Sequence, residues 1–284
     1  MRAVCGHPLR SRTMSGDDMF GGVRFHSSKE RVINLLSSPL ALAVAATGAG
    51  EWLLYASSVE HALWGHTLAL FVCLFAPLVE TDDAGLRAFV LVPLFRVVNL
   101  GMPVFVETTL YWLPVVYGTL VPAIYVLAET EGTPRLRWNL RTGLVLAPPC
   151  LVGGALLAQV EYALLDPAAL VATPTPRNVL ALAVVAVGFV ALVEETVFRG
   201  FVQPTLVGRV GRVPGLVATN LLFGAMHSAY SSPTAIGFAA LAGLAYSLTY
   251  EATDSLVVVT LLHGSANVFL FGVVPFYGSV VPGL

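Results

Sequence analysis

Charge is scarce in this chain. Only 11% of its 284 residues are Asp, Glu, Lys or Arg, against about 25% in soluble globular proteins, and Lys29 is the one lysine. Hydrophobic residues make up 56%, and mean hydropathy is +0.79. That balance excludes an ordinary soluble domain. A net charge of −2 is near zero and argues against a nucleic-acid partner. Cysteine is also sparse: Cys5, Cys73 and Cys150 have neither metal-type nor disulfide spacing and read as packing residues. Alternating segments of ~10 residues, which mark a transmembrane barrel, are missing. So is the apolar core with cleavage site of a secretory leader, because residues 1–34 are polar and rich in Gly, Ser and Arg.

Long apolar runs are abundant. They recur at about the length a helix needs to cross ~30 Å of hydrocarbon, and the fold class they predict is all-α, a polytopic transmembrane helical bundle of eight to nine spans. Candidate spans lie at 35–57, 62–80, 88–104, 105–128, 143–165, 179–201, 213–230, 233–252 and 255–276. The third and fourth are interrupted by Arg96, Asn99, Pro103 and Glu107, so this pair is either two crossings or one broken element. Cations give an independent check. Arg2, Arg10, Arg12, Arg24, Lys29, Arg31, Arg87, Arg135, Arg137, Arg141, Arg209 and Arg212 all fall on one side if the N-terminus is cytoplasmic and nine spans cross. Only Arg177 falls opposite. The expected organisation is a cytoplasmic tail at 1–34, N-terminal transmembrane helices at 35–165 and a C-terminal set at 179–276, in a multi-pass protein of the cell membrane.

Ionisable groups then stand out where they do occur. Glu194, Glu195 and Arg199 follow the apolar run 179–193, and each ionised group at mid-bilayer costs about 2.5–3.5 kcal/mol. Such residues are functional candidates. On a helix, Glu195 and Arg199 are one turn apart with the acid first, the favourable order for an ion pair. Glu194 is turned about 100° away and is left as the carboxylate free to face a cavity. His227 follows Phe223, Gly224, Ala225 and Met226 on the next span, and His263 stands one turn before Asn267 on the last. Taken alone, each histidine reads better as a packing residue than as a site residue. Together, two carboxylates, two imidazoles and a carboxamide on three apolar helices are costly unless they meet.

Glu-Glu-x-x-x-Arg, Phe-x-x-x-His and His-x-x-x-Asn, in that order on successive helices, resemble the CaaX-protease and bacteriocin-processing family of intramembrane proteases (the CPBP or Abi group). The resemblance covers about residues 179–275. It implies an integral-membrane endopeptidase in which Glu194 and His227 activate a water, His263 and Asn267 steady the oxyanion, and Glu195 with Arg199 supports the site. It implies membrane-embedded or prenylated peptide and protein substrates. Glu194, His227 and His263 are also the metal ligands if a metal is used. Zn2+ or another divalent ion with an open position suits them, but the His-Glu-x-x-His pattern of metalloproteases is lacking, and a metal-free mechanism suits the same residues. The rival readings are a transporter using the buried charges and a non-catalytic membrane scaffold or immunity protein. Polar residues crowd into the C-terminal third with no matching set earlier, unlike the repeats of transporters.

The depths of these groups set a further expectation. If the sixth span ended at Gly200, Glu194 would lie about 10 Å from the cytoplasmic edge, against about 20 Å for His227. The two meet better if that helix continues past Phe201, Val202 and Gln203 toward Arg209. Glu51, Glu161 and Glu251 read as span-end residues that reach the interface by snorkelling. Arg96 with Asn99 could pair with Glu107 or line the entrance to a cavity, with a structural role the favoured reading.

Overall fold

The computed structural model describes residues 38–79, 84–102, 110–130 and 140–278. Among these residues the ordered elements are helical and no strand forms. They make nine rods: α1 (Pro39–Tyr55), α2 (Val59–Val79), α3 (Ala84–Gly101), α4 (Trp112–Thr130), α5 (Leu140–Leu165), α6 (Pro176–Val210), α7 (Arg212–Ala225), α8 (Pro233–Thr253) and α9 (Leu256–Gly272). The tail at 1–34 and Glu107 lie outside the described residues.

Local chemistry explains several starts. Ser38, Thr175, Ser232 and Ser255 each accept a backbone N–H three residues on, at 3.2–3.4 Å, and the first three are followed by proline. The side-chain oxygen satisfies an orphan donor, and Pro at the first helical position forfeits no bond. The sixth helix does run on to Val210, as the depths required. It stops at Gly211, whose φ of 94° is a backbone state that side-chain-bearing residues resist. That turn folds α7 straight back onto the end of α6, with Gly215 against Val207.

The outer faces are apolar. Along α2, Trp64, Leu68, Phe71, Phe75 and Leu78 recur at helical spacing and are all exposed. Water would not tolerate so long an apolar stripe, and lipid does. Six rods (α2 to α6, and α9 with its extension to Tyr277) are long and apolar enough to cross a membrane. The eight to nine expected from the sequence is slightly more than this. α1 has 17 residues and α7 has 14, the latter only about 21 Å at 1.5 Å per residue, while α8 is diluted by Ala, Gly, Ser and Thr. The packing directions alternate all the same. Gly143 meets Val257 and Gly154 meets Leu262 and Ser265, so α5 and α9 are parallel, whereas Gly264 on Val187 and Gly272 on Leu182 make α9 antiparallel to α6.

The α5–α9 seam is tight because Gly154 brings the backbones together. A methyl group there would meet Ser265 Oγ, the Ala266 nitrogen at 2.7 Å and the Leu262 oxygen at 2.9 Å. Ser265 Oγ also donates to the Cys150 carbonyl at 2.9 Å. Close approach through small residues and such cross-helix bonds is how helices associate without a hydrophobic drive. Gly154→Ala is therefore expected to destabilise the bundle by about 1–3 kcal/mol through overpacking. An unaltered melting temperature in detergent would remove this crossing from the stabilising contacts.

Candidate active site

The centre of the bundle is α6. From Glu195 to Gln203 every residue is buried, the pattern of a helix surrounded on all sides. Two stretches, Ala186–Ala191 and Thr196–Val202, are wound as π-helix on either side of a four-residue α segment, Leu192–Glu195. π-turns of this kind are frequent at functional sites. Here they flank the two adjacent glutamates.

The glutamates face different surroundings. Glu195 has no exposed side-chain surface, while that of Glu194 is 16% exposed. Glu195 joins two cations or potential cations: Arg199 Nε lies 3.1 Å from its Oε2, and His263 Nδ1 lies 2.7 Å from its Oε1. Arg199, also fully buried, donates to the Gly243 carbonyl at 2.7 Å and lies over the rings of Phe223, Tyr246 and Phe198. Charge, hydrogen bond and ring face together compensate its burial. An ionised carboxylate only accepts, so Nδ1 of His263 carries the proton. Tyr246 stacks on the His263 ring at 4.7 Å.

Glu194 looks into a cavity of about 340 Å³. Its Oε1 accepts from the Tyr117 hydroxyl at 2.5 Å, and its Oε2 lies 3.8 Å from His263 Nε2. The same cavity is walled by His227, Arg96, Asn99, Phe223 and Tyr230. His227 Nδ1 lies 3.0 Å from the Phe223 carbonyl. A carbonyl only accepts, so Nδ1 is the protonated nitrogen and Nε2 keeps the basic lone pair in the neutral ring.

The sequence-predicted residues therefore divide. Glu194 and His227 share the cavity wall. His263 sits behind it, bound to Glu195 and close to Glu194. Asn267, one turn further along α9, is half-buried and is not part of the wall. Glu195 and Arg199 pair as their spacing predicts. Tyr117 and Tyr246 were not foreseen, because a tyrosine in an apolar run carries no distinguishing pattern. Glu51 corrects an expectation: it is 2% exposed rather than at the interface, and Arg96 binds it through Nε at 2.6 Å and Nη2 at 2.8 Å. Arg96 pairs with that residue and also lines the cavity, while Glu251 stays at the surface, 2.7 Å from Arg212.

Among the described residues no group of three or more His, Cys, Asp or Glu side chains is placed to hold an ion. Glu194, His227 and His263 thus do not fit a shared metal as arranged, and the chemistry is derived without one.

Fold and site together define a helical membrane protein with a carboxylate–imidazole site buried inside the bundle. Residues 176–269, the segment that holds all three motifs, match the family model described as Type II CAAX prenyl endopeptidase Rce1-like. No curated protein and no solved structure matches the chain.

Proposed function

We propose that this chain is an integral-membrane endopeptidase that hydrolyses peptide bonds of membrane-associated substrates, of the prenylated CaaX type or small peptides. The observation that carries the reading is Glu194 on the wall of an internal cavity it shares with His227. Water held there attacks the scissile carbonyl carbon while its proton passes to Glu194. The C–N bond then breaks as the leaving nitrogen takes that proton, giving a new carboxylate and a new amine. The His227 Nε2 lone pair accepts a hydrogen bond from the same water and orients it. A positioned base contributes about 10²–10⁴-fold. Tyr117 hydrogen-bonds the Glu194 carboxylate, and His263 Nε2, 3.8 Å from its other oxygen, attracts it when that ring is doubly protonated. The oxyanion role of His263 and Asn267 is supported by the resemblance of their motif.

The orientation that suits this reading has the N-terminus and the α6–α7 turn in the cytoplasm. Arg209 and Arg212 flank that turn, consistent with the bias of cations to the cytoplasmic side.

The test is turnover of a fluorogenic CaaX-type peptide by the purified protein in detergent. Wild type is expected to cleave it, and His227→Ala to do so about 10²-fold more slowly. Equal rates for the two would end the protease reading in favour of transport or scaffolding. In the same assay a chelator is expected to leave the rate unchanged. Loss of activity that Zn2+ restores would bring a metal into the site.

A further inference from the structure

His227 stands just beyond the end of α7, not within it. Its φ of −102° and ψ of 10° lead into the short turn Ser228–Tyr230, and Ser231 follows in the left-handed region at φ 48°. The helix holds His227 only through its N–H to the Gly224 carbonyl, at 2.9 Å, and its ring through Phe223. The residues on either side are fixed from elsewhere. The Met226 carbonyl accepts from Arg96 Nη2, and Ser228 Oγ donates to Glu51 Oε2 at 2.5 Å. Ser231 Oγ donates to the Tyr55 carbonyl at 3.2 Å. A single ion pair from α1 and α3, itself held by two hydrogen bonds, thus brackets the histidine before and after.

We propose that the Glu51–Arg96 pair is a positioning device for His227. The proposal rests on the proteolytic reading of the cavity. Desolvation makes a buried ion pair a poor source of stability, and apolar replacements are often as good or better. An orienting role accounts for its presence in an otherwise apolar bundle. Both residues lie before the matched segment, 176–269, so the N-terminal half completes the site as well as anchoring the chain. Arg96 and Asn99 carry the effect further, since they line the same cavity as the glutamate.

Ser228→Ala tests this with the least disturbance, because it removes one hydroxyl and leaves the ion pair intact. In the peptide assay kcat is expected to fall about ten-fold with KM changed less than about two-fold, as small misplacement of a catalytic group slows chemistry more than binding. Ser228→Thr keeps the hydroxyl and is expected to restore the rate, and Glu51→Gln to lower it about a hundred-fold. A second readout needs no turnover. Diethyl pyrocarbonate modification of His227, followed by mass spectrometry, is expected to run about three-fold faster in Ser228→Ala as the turn loosens, with His263 unaffected. Wild-type rates in Ser228→Ala for both cleavage and modification overturn the positioning role and leave the protease reading intact. An inactive wild type whose His227 is still unmasked by Ser228→Ala refutes the protease reading alone.

Discussion

Glu194→Gln is expected to lower peptide cleavage by about 10²–10⁴-fold, the usual contribution of a general base, while leaving the protein as stable as wild type. The amide has the size and shape of the carboxylate, and its oxygen can still accept from the Tyr117 hydroxyl that now lies 2.5 Å from Oε1. What it cannot do is take a proton from water. The separation matters because Glu194 is surrounded by groups that also hold the bundle together. A variant that lost both activity and melting temperature would point to a packing role, whereas one that kept full activity would exclude Glu194 as the base. Tyr117→Phe provides an inner comparison. It removes the hydrogen bond but keeps the carboxylate, so a loss of about ten-fold is expected, within the range of a single positioning bond.

Much of the fold was legible because bilayer crossing imposes a crude rule, and crude rules show in a single sequence. The expected spans at 143–165, 233–252 and 255–276 fall on α5, α8 and α9 with small differences at their ends. Apolar content alone ended the span at 201, and it was the mismatch in depth between Glu194 and His227 that called for the continuation toward Arg209, which the helix makes. The terminator is Gly211, ten residues on, acting through its backbone state. Within the site, the i,i+4 spacing of Glu195 and Arg199 was readable since it is local. The His263–Glu195 bond was not, because it joins residues 68 apart in sequence. Glu51 shows the same limit more sharply. Its place near the end of a span suggested contact with headgroups, yet its partners are Arg96, 45 residues away, and Ser228, 177 residues away. The π-turns on either side of the glutamates escape any reading based on a period of 3.6.

Arg199→Ala is expected to have the opposite profile from Glu194→Gln: a loss of stability of about 3–5 kcal/mol, the cost of leaving one member of a buried pair uncompensated. Arg199 and Glu195 have no exposed side-chain surface. Without the guanidinium, Glu195 keeps only His263 as a charge partner, and the Gly243 carbonyl loses its donor. The rings of Phe223 and Tyr246, whose centroids lie 4.8 and 5.7 Å from the guanidinium carbon, would border a void. Lysine is not expected to substitute, because a compact ammonium cannot reach the carboxylate, the carbonyl and the ring faces together as a planar fork does. Unfolding in detergent, by heat or denaturant, would measure the difference for both variants. The decisive comparison is between neighbours on α6. If Arg199→Ala melts like wild type while Glu194→Gln unfolds, the division into a structural Glu195–Arg199 pair and a chemical Glu194 is reversed. If the stability loss falls on Arg199 and the loss of turnover without unfolding falls on Glu194, two adjacent carboxylates on one helix have been given different tasks by what surrounds them.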